Sequence, residues 1–149
     1  MSSGQTSPQV SNRVTPVVAH GGFAFVSGQL PRENGALSQT GKVGAEVELD
    51  DARRAAAICA RNGLDVLLGV FDEADIVRIV KITGFVASAA GFNAQGAVID
   101  AASDVLLDRL GPERGAHARS AVGVAELPHN APVEVEMIVA VRGGAGSVA

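Results

Sequence analysis

The chain has 149 residues, with 12 Lys and Arg against 16 Asp and Glu and a net charge of −4. Its length fits one domain, and at 47% apolar and 19% charged residues it is globular rather than disordered. The acidic balance and the absence of Trp and Tyr argue against a nucleic-acid surface, and no apolar run reaches the roughly 18 residues of a membrane helix.

Residues 1–13 are rich in Ser, Gln and Asn and are expected to form a flexible arm. They lack the charged start and apolar core of a signal peptide. A short strand is expected over 15–19, then a His20-Gly21-Gly22 turn and a second strand over Phe23–Gln29. Residues 31–46 read as a polar loop. A helix follows from Asp50 to about Gly69, with Asp50 or Asp51 as its cap and a stripe of Ala52, Ala56, Cys59, Gly63, Val66, Leu67 and Val70. Cys59 is the only cysteine, so no intramolecular disulfide or multi-cysteine zinc site exists, and a reducing cytoplasm is the expected compartment. Cys59 itself reads as a small buried hydrophobe.

Ile76–Ala87 is the clearest strand. Asn93 is expected to cap a second helix over 94–110, with Val98, Ile99, Ala102, Val105, Leu106 and Leu110 as its stripe and Gly111-Pro112 as its end. Strands over 117–125 and 133–142 flank a turn at 127–132. The glycine-rich residues 143–149 are expected to be a flexible tail.

The order β-β-α-β-α-β-β predicts an α+β domain over 14–142, a single mixed β-sheet with two helices on one face. Two helices cannot cover both faces. The 76–87 strand is nevertheless apolar on both parities, with Val77, Ile79 and Phe85 on one side and Ile76, Val80, Ile82 and Val86 on the other. Burial of the second face by a sister subunit is the expected solution.

Three segments carry a family resemblance: FVSGQLP at 25–31, VKITGFV at 80–86, and HARSAVGVAELP at 117–128 running on into PVEVE at 132–136. The chain resembles the Rid family of reactive-intermediate deaminases, also labelled L-PSP endoribonucleases. The resemblance implies a Bacillus chorismate mutase-like fold, a homotrimer, and ligand clefts between subunits.

An arginine at a strand start can clamp a carboxylate through its planar fork, or can serve a structural ion pair. The resemblance places Arg119 on the family's substrate-carboxylate arginine. A glutamate in an alternating strand can orient water, or can be a wetted strand residue. The resemblance places Glu134 on the glutamate beside the hydrolytic water. Ser27-Gly28 matches a turn whose backbone approaches the ligand, with Gly28 allowing close approach. Asp100 and Ala121 fall on pocket positions where the family usually has asparagine and cysteine, and Val14 falls where it usually has an aromatic. These departures imply a divergent subgroup. Arg119 and Glu134 each begin a strand, so within one chain they are expected at opposite ends. A shared site would then draw on neighbouring subunits. His20, His117 and His129 are too far apart in sequence for a local metal motif; His117 reads as a polar residue at a strand start.

The resemblance implies an enamine/imine deaminase that converts reactive 2-imino acids to 2-oxo acids and ammonia without cofactor or metal. A non-catalytic binder of small 2-oxo acids is the alternative. A ribonuclease is disfavoured by the acidic balance. The expected partners are a small 2-imino or 2-oxo acid and further copies of the chain, with neither nucleic acid nor membrane.

Overall fold

The structure is a computed structural model that describes residues 13–143. The expected arm and tail lie outside the described residues except for Arg13 and Gly143. Its strands are β1 (Val17–His20), β2 (Phe23–Gln29), β3 (Arg32–Glu33), β4 (Ala36–Leu37), β5 (Ile76–Ala87), β6 (Ala118–Val124) and β7 (Val133–Val141); its helices are α1 (Leu49–Leu68) and α2 (Gln95–Arg114). Five strands form one mixed sheet in the order β1-β2-β7-β5-β6. Only β5 and β6 are parallel, because α2 carries the chain back between them, as a parallel pair requires. Both helices pack against each other and on the same face of the sheet. The expected α+β architecture is therefore present.

The loop expected over 31–46 holds a small hairpin, β3–β4. Its turn is Asn34-Gly35, with φ of 53° and 84°. Asn-Gly is the dipeptide that accepts positive φ at both central turn positions, so the signal was present in the sequence. Neither helix is capped by a side chain as expected. Glu48 and Ala94 occupy the N-cap positions without a side-chain bond, and Asp50 and Asp51 lie in the first turn of α1, where they favour its positive end. Gly111, at φ 91°, breaks the regular helix as anticipated, but Pro112 opens one more turn to Arg114.

Two irregularities in β5 correct the expected parity. Register shifts lie between Ile76 and Arg78 and between Ile79 and Lys81. Each displaces the alternation, so Ile76, Ile79, Ile82 and Val86 all lie buried under the helices. Val77 is exposed, and Phe85 half-buried, on the open side. The opposite strand β7 alternates without interruption: Val133, Val135, Met137 and Val139 are buried, and Glu134 and Glu136 face away. The open face is strongly apolar, with Val18, Phe23, Phe25 and Val122 between 41% and 50% exposed.

Two glycines let the helices approach the sheet. A Cβ at Gly84 would stand 2.5 Å from Ile99 Cγ1 and 2.9 Å from Cγ2. Ile99 is fully buried and β-branched, so it cannot swing aside. A Cβ at Gly63 would meet Met137 Cε at 2.5 Å, the far end of a flexible side chain. Gly84→Ala is expected to cost about 1–3 kcal/mol by overpacking. Gly63→Ala should cost less, since helix propensity gains up to about 1 kcal/mol. Thermal unfolding of the two variants checks that order.

Candidate active site

The expected site residues fall into two groups. Ser27, Gly28 and Glu134 form the first. The β2–β7 register is regular from Phe23 to Val26 and shifts before Gln29, so Ser27 and Gly28 bulge from the ladder beside the start of β7. The missing side chain of Gly28 is what admits Glu134: a Cβ there would lie 2.8 Å from Glu134 Cδ. Ser27 Oγ donates to the Thr15 carbonyl at 2.8 Å, and its own carbonyl accepts from Gln29 Nε2 at 3.0 Å. Ser27 is thus a turn residue held at both ends.

Glu134 is half-buried, and burial raises its carboxyl above the ordinary range, with the charge of Glu136 adding to the effect. Cys59 lies buried behind this group, donating to the Val133 carbonyl at 3.6 Å. Burial holds its thiol well above the usual range, with the Glu134 charge contributing, so it is an inert thiol. A raised carboxyl pKa means that folding penalises ionised Glu134. This penalty is absent below the unfolded carboxylate pKa and grows as pH rises through the folded value. Glu134→Gln removes it. The variant should therefore gain thermal stability over the parent between about pH 4 and pH 7, and melting curves at both ends test this.

Arg119, Asp100 and Ala121 form the second group, at the sheet edge where α2 crosses β6. Arg119 donates from Nη1 to Asp100 Oδ1 at 2.7 Å and to Ser103 Oγ at 3.3 Å. His117 Nε2 lies 2.8 Å from Ser103 Oγ, and its Nδ1 lies 2.6 Å from the Gly115 carbonyl. A carbonyl only accepts, so Nδ1 carries a proton. In the neutral ring Nε2 then accepts from the Ser103 hydroxyl, leaving Oγ free to accept from Arg119. Ser103 and His117 thus anchor the guanidinium. Sequence reading missed Ser103, because nothing in the sequence shows which helical serine lies over Arg119. Ala121 lies two residues on, half-buried against the core.

The two groups do not meet within one chain. Arg119 pairs with Ile82 on β5, whose side chain is under the helices, whereas Glu134 pairs with Phe85, on the open side. The expectation of opposite strand ends is corrected: the two positions differ by only three residues along β5 (82 and 85). What separates them is the face of the sheet and the strand between them. Nor does either residue line the depression of about 260 Å³ on the open face, whose polar lining is Ser27, Lys81, Thr83 and Glu136. Among the described residues, no cluster of His, Cys, Asp and Glu could hold a metal ion, and no helix is long and apolar enough to cross a membrane.

The family model described as Endoribonuclease L-PSP matches residues 4–141. The chain belongs to the L-PSP/Rid family. Among solved structures of this fold, it is similar to Atu1372 of Agrobacterium tumefaciens, a protein of unknown function. The two are 44% identical over 87% of this chain and 83% of that one, with a TM-score of 0.81. The YjgF gene product of E. coli is 26% identical over 87% of this chain and 88% of its own, with a TM-score of 0.57. Protein TCP17 of Trypanosoma cruzi is 40% identical over 123 residues, 82% of this chain and 77% of its length. The family resemblance carried by FVSGQLP and HARSAVGVAELP is thus shown, and the mixed sheet with two helices matches the fold of the YjgF gene product.

Proposed function

We propose that this L-PSP/Rid family member is an imine deaminase whose site is completed between copies of the chain in a homotrimer. The observation that carries the reading is the division of the site. A buried-side arginine and a desolvated glutamate stand on opposite faces of one sheet, beside an open face left apolar by Phe23, Phe25 and Val122. Packing of that face against a neighbour would bury it and could bring the Glu134 group of one copy to the Arg119 group of the next.

In the proposed reaction Arg119 holds the carboxylate of a 2-imino acid by charge-assisted hydrogen bonds. Glu134 orients a water and accepts its proton as the oxygen bonds to the C=N carbon. For a neutral imine, Glu134 passes that proton to the former imine nitrogen, giving a carbinolamine; an imine that enters protonated reaches it directly. The carbinolamine hydroxyl proton then moves to nitrogen, releasing ammonia as the C–N bond breaks and the C=O bond forms. Water and imine are consumed, and 2-oxo acid and ammonia are produced. An imine is already electrophilic, so neither cofactor nor metal is required.

A binder of 2-oxo acids would use Arg119 alone. The fit of Glu134 against the bare backbone of Gly28 favours chemistry over binding. RNA cleavage, the activity in the family description, is not favoured by a chain of net charge −4 whose His117 is engaged by Ser103 and Gly115. The test is release of 2-oxo acid from amino acids supplied to an oxidase or dehydratase, with and without the protein. Faster release with the protein supports the deaminase. Unchanged release with retained 2-oxo acid binding supports the binder. Light scattering with refractive-index detection should return three times the chain mass, and a stable monomer would remove the shared site.

A further inference from the structure

We propose that Asp100 makes the Arg119 half-site select ligands that carry a positive group beside their carboxylate, protonated imines and α-amino acids, over 2-oxo acids. This rests on the reading of Arg119 as a carboxylate holder and names the charge pattern of what it holds.

Both in-chain contacts of the guanidinium fall on one nitrogen, Nη1. Among the described residues, Nε and Nη2 make no hydrogen bond. Nη2 lies beside the bare backbone of Gly96, where a Cβ would come to 3.5 Å. The Nε–Nη2 edge is thus available for a bidentate carboxylate. Asp100 spends Oδ1 on Arg119. Its Oδ2 has no partner among the described residues, and its side chain is 57% exposed. An unfilled anionic acceptor therefore sits on the carboxylate bonded to Nη1 of the same guanidinium whose Nε–Nη2 edge is open.

The consequence is one of charge. Arg119 and Asp100 sum to zero, so a monoanionic 2-oxo acid meets attraction from one and repulsion from the other. Its ketone oxygen also presents lone pairs to a carboxylate that can only accept. A protonated imine or an ammonium presents N–H donors at that same position, one carbon from the carboxylate. Substrate would match both charges, while the product of hydrolysis, having lost its cationic nitrogen, would match only one. Asp100 would thereby favour substrate entry and product departure. An asparagine could keep an acceptor for Nη1 but would not carry the charge.

Calorimetric titration with L-alanine and pyruvate, which share a carbon skeleton, tests this in low-salt buffer near neutral pH. The parent is expected to bind alanine at least about tenfold more tightly than pyruvate, a preference that shrinks as salt screens the exposed pair. In Asp100→Asn the preference should vanish or invert, with pyruvate tighter and alanine weaker. Equal or tighter binding of pyruvate by the parent would overturn the proposal, as would a preference unchanged in Asp100→Asn. Arg119→Ala separates the two layers. If it abolishes binding of both ligands while the parent shows no alanine preference, the carboxylate reading stands and the role of Asp100 falls. If binding ignores Arg119→Ala, or the parent binds neither ligand, both fall.

Discussion

Glu134→Gln is expected to lower imine hydrolysis by about 10²–10⁴-fold, the range for losing a positioned acid–base group. Gln keeps the shape of the side chain against Gly28 and loses only the proton acceptor. Binding of pyruvate should hold steady or tighten slightly, because a negative charge has been removed from the site. Because ionised Glu134 is penalised by burial and by Glu136, the variant should be no less stable than the parent at neutral pH. Loss of activity could then not be assigned to unfolding. Hydrolysis at the parent rate would reduce Glu134 to a wetted strand residue.

Arg119→Lys is expected to weaken carboxylate binding by roughly 1–3 kcal/mol, about five- to 150-fold. Lysine keeps the charge but loses the second edge of the planar fork, since one ammonium cannot serve Asp100, Ser103 and a ligand with the same geometry. The fold should hold: Arg119 and Asp100 are 26% and 57% exposed, and such pairs contribute about 0–1 kcal/mol. An unchanged affinity with a large drop in melting temperature would make Arg119 a structural residue instead.

The strands and helices were legible because their periodicity is strong. Val133, Val135, Met137 and Val139 alternate cleanly with Glu134 and Glu136, and the small residues of α1 mark its buried stripe. The facing of β5 was not legible. A period of two assumes an unbroken ladder, and the register shifts at Ile76/Arg78 and Ile79/Lys81 place Ile79 and Ile82 on one face despite their odd and even numbers. The inference of a second apolar face survives this correction: Val77 and Phe85 stay on it, Ile79 leaves it, and Phe23, Phe25 and Val122 add to it. Arg119 and Glu134 could be singled out from sequence through family resemblance, but their opposite facing could not. That depends on which β5 residue each strand pairs with. The anchoring of Arg119 by Asp100 and Ser103 depends likewise on how α2 lies over β6, a tertiary fact with no local signature.

A site shared between copies makes a prediction that no single-chain site can make. Arg119→Ala and Glu134→Gln should each be inactive as pure assemblies. Refolded together in equal amounts, they should recover about one quarter of the parent imine-hydrolysis rate. At random mixing, that fraction of interfaces joins an intact Arg119 from one chain to an intact Glu134 from another. Recovery at that level, in mixed assemblies of the parent's size, is the expected result. Assemblies of that size with no recovered activity would contradict a site built from two copies of the chain.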